Sequence, residues 1–163
     1  MKKLLILLSL ITLLGCTRQS VPDGLPKLVP VTLTITQEGT PLAGAIVSVV
    51  DPGGGIQFMV GGTTDVNGSV VLHTHGLYKG APLGKFKVRV VKTEADQPPA
   101  DLPPPPPLGT KEFEAYRKQL DKLKTYMLVE KRYTQLNTTP LELEITGPLT
   151  TTLDVGKAVR DVL

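Results

Sequence analysis

Apolar and polar residues alternate in short runs along most of this chain. The clearest run is 31–36, where Val31, Leu33 and Ile35 alternate with three threonines. A period of two places successive side chains on opposite faces of an extended strand, so each run predicts a strand with one buried face. Seven strands are predicted. Six lie at 31–36, 45–50, 56–60, 69–74, 85–90 and 141–145, and the seventh ends with Leu153 and Val155.

Turn-forming residues separate these runs. Glycine, proline, asparagine and aspartate cluster at 39–41, 51–55, 65–68 and 147–148, and these residue types favour tight turns. Seven short strands with such connections are typical of two antiparallel sheets packed face to face. The fold predicted is therefore all-β, a seven-stranded antiparallel sandwich of the immunoglobulin or transthyretin type.

Two of the runs carry charged residues on faces that the alternation predicts to be ordinary solvated strand faces. Lys85, Lys87 and Arg89 share one face of the fifth run, and Glu142 and Glu144 share one face of the sixth. Opposite charges on neighbouring strands stabilise a sheet through cross-strand ion pairs. If these two strands pair, we therefore expect cross-strand ion pairs between them, and their placement in different sheets would contradict this.

A segment between the fifth and sixth strands, residues 94–128, departs from the alternation. Seven prolines lie in 94–109, and five of them are consecutive at 103–107, which predicts an exposed polyproline II spacer. In 111–128 the apolar residues follow a helical period, at 113, 116, 120, 123 and 127. Thr110 is the predicted N-cap. The helix either packs on the sandwich or exposes its apolar stripe to a partner.

The N-terminus has the layout of an export signal. Lys2 and Lys3 precede an apolar run at 4–14, and Leu-Leu-Gly-Cys occupies 13–16. The run is too short to span a bilayer. The pattern resembles a bacterial lipobox, which implies cleavage that leaves Cys16 as a lipid-bearing N-terminus. The expected partner is then a membrane, bound through this lipid anchor.

These features divide the chain into four parts. Residues 1–15 are the predicted lipoprotein signal peptide, and 16–30 the lipidated cysteine with an extended tether. Residues 31–156 are the sandwich with its insertion, and 157–163 a C-terminal tail. The residue after the cysteine is Thr17, not Asp. By analogy with enterobacterial sorting, this favours the outer over the inner membrane of the cell envelope.

The charge and cysteine content exclude several function classes. The net charge of +3 includes two lysines of the signal, whose removal leaves sixteen basic against fifteen acidic residues. The basic balance thus gives no indication of a nucleic-acid partner. Cys16 is the only cysteine, so the folded part has no disulfide and no thiolate for metal or nucleophilic chemistry.

Three stretches taken in order resemble one family. They are Gly-Thr-Pro-Leu-Ala-Gly-Ala at 39–45, Thr-Asp-Val-Asn-Gly at 64–68, and the stretch 80–88 that opens a strand. Their order resembles the carboxypeptidase regulatory-like, or transthyretin-like, β-sandwich domains, as found in small lipoproteins of planctomycetes. The resemblance covers roughly 31–93 and 129–156. It implies a non-catalytic accessory module and brings no catalytic residue.

The two histidines, His73 and His75, are the candidate metal ligands. Two imidazoles on one strand face could hold Zn²⁺ or Cu²⁺ with a third ligand, which the sequence does not identify. The alternative is two surface histidines near a strand end. No serine lies in a known nucleophile motif, so we expect neither an enzyme nor a cofactor.

The sequence therefore predicts a non-enzymatic envelope module for protein interaction or surface organisation. One alternative is a metal-binding protein that uses the two histidines, and another is a carbohydrate-binding accessory module. The expected partner is an envelope protein or a polysaccharide. The chain has no tryptophan and only four tyrosines, whereas sugar-binding surfaces usually carry exposed aromatic rings. The protein partner is therefore favoured.

Overall fold

The computed structural model describes residues 24–54 and 58–163. The predicted signal peptide and Cys16 lie outside the described residues. In the described ranges the chain is mostly strand, with one short helix, and the strands form several sheets. This architecture is consistent with an all-β sandwich. In chain order the strands are β1 Leu28–Val29, β2 Val31–Gln37, β3 Thr40–Pro41, β4 Ile46–Val50, β5 Val60–Thr63, β6 Ser69–Val71, β7 His73–Thr74, β8 Tyr78–Lys79, β9 Ala81–Pro82, β10 Gly84–Val91, β11 Thr93–Ala95, β12 Thr125–Val129, β13 Glu142–Ile145, β14 Leu149–Asp154 and β15 Ala158–Val162. Helix α1 Lys111–Leu120 lies between β11 and β12, and a 3₁₀ turn, Lys131–Thr134, follows β12.

Two sheets carry most of the structure. One has the order β13-β10-β4-β5-β7-β8, and all of its strand pairs are antiparallel. The other is built on β2, which pairs in parallel with β14 and antiparallel with β3 and β6. The prediction that all strands pair antiparallel is therefore wrong for β2 and β14. A short ribbon joins β1 to β9, and β12 lies between β11 and β15 in a further sheet.

The core lies between the inward faces of these sheets. On β2 the three apolar residues of the first run are fully buried, and the intervening threonines are half-buried. The alternation therefore predicts this strand and its buried face correctly. Branched aliphatic side chains dominate the buried cluster, whose members are Val29, Val31, Leu33, Ile35, Ala45, Val47, Val49, Val60, Val70, Leu72, Ala81, Val88, Val90, Val129, Tyr133, Leu143, Ile145 and Val155.

The strand boundaries differ from the prediction in two places. The predicted strand 69–74 is divided into β6, which pairs with β2, and β7, which pairs with β5. The chain changes sheets at the fully buried Leu72 between them. The predicted strand 56–60 is displaced, because β5 begins only at Val60. The count of seven strands is thus not what the structure shows, since short segments such as β1, β8 and β9 add to it.

The two ends of the insertion lie next to each other, because it leaves from strand β11 and returns in the neighbouring strand β12. Strands β11 and β12 pair antiparallel. Next to them the Asp96 N–H donates to the Lys124 carbonyl at 2.8 Å, and the Lys124 N–H donates to Asp96 Oδ2 at 3.0 Å. The proline-rich segment and helix α1 therefore form a long connection across the end of a hairpin.

Helix α1 begins where the sequence predicts but ends earlier. Thr110 is the N-cap, and its Oγ1 accepts a hydrogen bond from the Phe113 N–H at 3.1 Å. The prediction that the helix continues to residue 128 is wrong, because the chain from Thr125 onward pairs with both β11 and β15 as strand β12. No residue of α1 is buried.

Both ends of the folded region contain strands that the sequence did not predict. Leu28–Val29, assigned to the tether, pairs with β9, and the Pro30 carbonyl accepts from the Leu149 N–H at 3.0 Å. Residues assigned to the C-terminal tail form β15 beside β12.

The predicted ion pairs between the fifth and sixth runs are confirmed. Strands β10 and β13 are neighbours in one sheet, with Lys87 opposite Glu142 and Lys85 opposite Glu144. The nitrogen-to-oxygen distances are 2.8 Å and 3.8 Å respectively. The Lys87 ammonium, hydrogen-bonded to Glu142, holds the pKa of that carboxyl below its ordinary value.

Candidate functional site

A groove of about 850 Å³ lies along the six-stranded sheet. It is lined by residues of β4, β5, β7 and β10 and by the loops next to them. On β4, Val47 and Val49 are buried in the core, so the pleat turns the alternate residues Ile46, Ser48 and Val50 toward the groove. The Ile46 side chain is 54% exposed.

One row of cross-strand neighbours runs through this groove. Arg89 lies opposite Ser48, Ser48 opposite Gly61, and Gly61 opposite His73. The row ends at Lys79, the neighbour of His73 on β8. These residues lie far apart in the sequence, so their alignment depends on the register of five strands.

At Gly61, in the middle of this row, no side chain projects into the groove. A Cβ built on the Gly61 backbone would collide with the Val47 carbonyl oxygen. A larger residue would therefore both strain β5 and fill the groove. The closeness of the β4 backbone explains why glycine stands at this strand position.

The row carries positive charge without acidic partners. Within residues 24–54 and 58–163, neither Arg89 nor Lys79 forms an ion pair. Two residues before Arg89 on the same strand, Lys87 forms an ion pair with Glu142. Arg89 is thus the cationic side chain that β10 contributes to the groove.

The two predicted metal ligands both line the groove, but only one lies in a strand. His73 is in β7, and its Nδ1 is 3.0 Å from the Val71 carbonyl oxygen, which accepts a hydrogen bond from it. His75 lies in the following turn with φ of 54°, and its ring meets Phe58 edge-on at 5.9 Å between centroids. The period-two argument for a shared face therefore does not extend to His75.

Among residues 24–54 and 58–163, no third ligand joins these histidines. In the part of the chain that the structure describes, no group of three or more histidine, cysteine, aspartate or glutamate side chains could hold a metal ion. Protein zinc sites usually have at least three protein ligands. The geometry thus supports a mixed apolar and charged binding surface, whose lining includes Arg89 and Asp51, better than a metal centre.

The sequence pattern alone does not indicate that this groove exists. The sequence places Ile46 and Arg89 in two separate predicted strands, and alternation within the second predicts only a solvated face for Arg89. Only the pairing of β4 with both β10 and β5 brings them together. The adjacent Gly61 and Gly62 were the one local signal, because glycine inside a strand marks a close approach of backbone.

Comparison with known proteins assigns no family. No family model matches the chain, and no curated protein sequence matches it. The resemblance to carboxypeptidase regulatory-like domains therefore remains a prediction. Within residues 24–54 and 58–163, none of the helices has the length and apolar character needed to cross a membrane.

Proposed function

We propose that this chain is a non-enzymatic lipoprotein of the cell envelope that binds another protein through the groove. The observation that carries this proposal is the exposure of apolar side chains beside an unpaired cation. Ile46 is 54% exposed and Met59 74% exposed, and both line the groove with Arg89. Apolar side chains grouped on a surface with arginine are typical of protein interfaces.

The groove favours a protein over a polysaccharide. A sugar chain needs planar aromatic surfaces and a dense set of hydrogen-bonding groups, whereas the most exposed apolar side chains lining this groove are the aliphatic Ile46 and Met59. The charge of Arg89 in the lining, together with that of Lys79 on the adjoining strand β8, complements a partner segment that carries carboxylates. Complementary charge of this kind raises association rates and selects among partners.

The rest of the proposal follows from the sequence. Lipidation at Cys16 would hold the protein at a membrane, for which the outer membrane is favoured. A sandwich of the carboxypeptidase regulatory-like type would then present the groove to other envelope proteins. In this account the sandwich supplies a rigid binding surface and no catalytic group.

Charge reversal in the groove tests the proposal. Arg89→Glu and the matched control Arg117→Glu, on the exposed face of α1, are expressed as full chains in the envelope. Affinity capture followed by mass spectrometry identifies the partner, and calorimetry measures its binding. We expect Arg89→Glu to lose the partner and Arg117→Glu to keep it. Retention by Arg89→Glu, or loss by Arg117→Glu, contradicts binding through the groove.

Metal binding is the second candidate, because both histidines line the same groove. A calorimetric titration with Zn²⁺ or Cu²⁺ compares the wild type with the His73→Ala, His75→Ala double variant. Tight binding only by the wild type supports this function. Equal weak binding by both proteins rules it out.

A further inference from the structure

Strand β14 has one open edge. It pairs with β2 along all six of its residues, Leu149–Asp154, and no described strand lies on its other side. The N–H groups of Leu149 and Val155 donate to carbonyls on the β2 side. Because backbone groups alternate in direction along a strand, those of Thr150, Thr152 and Asp154 point toward the open edge.

The open edge of β14 has only one of the features that usually protect such a strand, the charge of Asp154 at its C-terminal end. Edge strands are normally short, charged or interrupted by proline or a bulge. The residues of β14 are Leu-Thr-Thr-Thr-Leu-Asp, its register with β2 is continuous, and it contains neither lysine nor proline. By contrast, β13 carries two glutamates, β15 carries Arg160 and Asp161, and β3 and β8 have two residues each.

We propose that β14 pairs antiparallel with β14 of a second copy of this chain, about a twofold axis at Thr152. This register makes every outward-pointing residue face another outward-pointing residue. Thr152 faces Thr152 of the second copy, and Thr150 faces Asp154. The three facing pairs would form about six backbone hydrogen bonds, since each hydrogen-bonded pair exchanges two.

The charges of the strand favour a second copy in this register. Asp154, whose carboxylate accepts hydrogen bonds from Thr36 and Gly39 of its own chain, would face Thr150, and no acid would face an acid. Centring the pairing on Asp154 would instead place two carboxylates opposite each other, which is destabilising. The six pairs between β14 and β2 also hold the strand extended, so little further ordering is needed when it pairs.

Cysteine substitution tests the register in the full chain within an oxidising envelope. Residues facing each other in a hydrogen-bonded pair have Cα atoms about 5.5 Å apart, a distance that a disulfide spans. Thr152→Cys should therefore form a disulfide-linked dimer of twice the mass of the processed monomer on a non-reducing gel. In the matched variant Thr150→Cys the two thiols would be about 13 Å apart, so no such dimer is expected.

The wild type, with Cys16 alone, is the control for the native thiol. A Thr152→Cys chain that stays monomeric, or Thr150→Cys that forms as much dimer, overturns the proposal. A second variant, Thr152→Pro, removes one outward N–H at an edge position where proline is tolerated. Sedimentation velocity should show a dimer for the wild type and a monomer for this variant. A monomeric wild type at tens of micromolar overturns the proposal independently.

Discussion

Replacing Thr64 with valine keeps the shape of the side chain and removes one hydroxyl. Thr64 is 4% exposed and follows β5 directly. Its Oγ1 accepts from the Ala45 N–H at 2.8 Å and donates to the Leu42 carbonyl at 2.6 Å. Its own N–H donates to the Ala45 carbonyl at 2.9 Å. This one residue therefore fixes the turn that leads into β4 and the groove.

The cost of the valine substitution follows from the groups it leaves without partners. Ala45 is fully buried, and an unsatisfied buried N–H costs about 1–3 kcal/mol. The Leu42 carbonyl belongs to a half-buried residue that water can approach, so it adds less. We expect Thr64→Val to lower the free energy of unfolding by about 2 kcal/mol. Thr64→Ser keeps the hydroxyl and loses one methyl group, which costs about 0.8 kcal/mol.

Urea denaturation followed by circular dichroism measures both variants against the wild type. The predicted order of stability is wild type, then Thr64→Ser, then Thr64→Val, with unchanged dependence on urea concentration. For a domain of this size, 2 kcal/mol corresponds to a fall in Tm of roughly 4–8 °C. Burial of apolar surface alone predicts the opposite order for the two variants. A valine variant as stable as the serine variant would therefore refute this reasoning.

Three further predictions concern other parts of the chain. Hydrogen bonds from Gly39, Thr36 and Gly156 hold the pKa of Asp154 below its ordinary value of 3.8. The ionised carboxylate of Asp154 therefore stabilises the fold above that pH, and this stabilisation is lost as the pH falls. On acid titration, Asp154→Asn should lose less free energy of unfolding than the wild type, and equal losses would contradict this. Replacing residues 97–123 by a four-residue turn should leave the fold intact. The free energy of unfolding, measured by urea denaturation, should rise by roughly 1.7 kcal/mol because a shorter loop is closed. An unfolded product would contradict the role of the insertion as a connection. Cys16→Ala should release the protein from the membrane fraction or leave it unprocessed, and a variant that stays there at normal size contradicts lipid anchoring.

Local alternation was sufficient to predict the strands whose partners share the same pattern. For β2, β10 and β13 a clean period of two coincides with one buried and one polar face. The ion pairs of Lys85 and Lys87 were predictable for the same reason, because pleating fixes the face on which each charge lies. Here sequence pattern and tertiary structure point to the same result.

Other features depend on pairing over long distances and could not be predicted. Apolar residues at 120, 123 and 127 fit a helical period, yet Thr125–Val129 is a strand because β11 and β15 flank it. The division of 69–74 between two sheets likewise requires knowing the partners of β6 and β7. The groove has the same origin, since Arg89, Ser48, Gly61 and His73 meet only through register.

Photo-crosslinking from within the groove tests the central claim most directly. A photoreactive amino acid is placed at Ile46 in the groove or at Val66, which is 84% exposed in the turn between β5 and β6. Both full chains are irradiated in the intact envelope, and adducts are identified by mass spectrometry. The account predicts one partner protein attached at position 46 and none at position 66. No adduct at position 46, or the same adducts from both positions, would contradict binding through the groove.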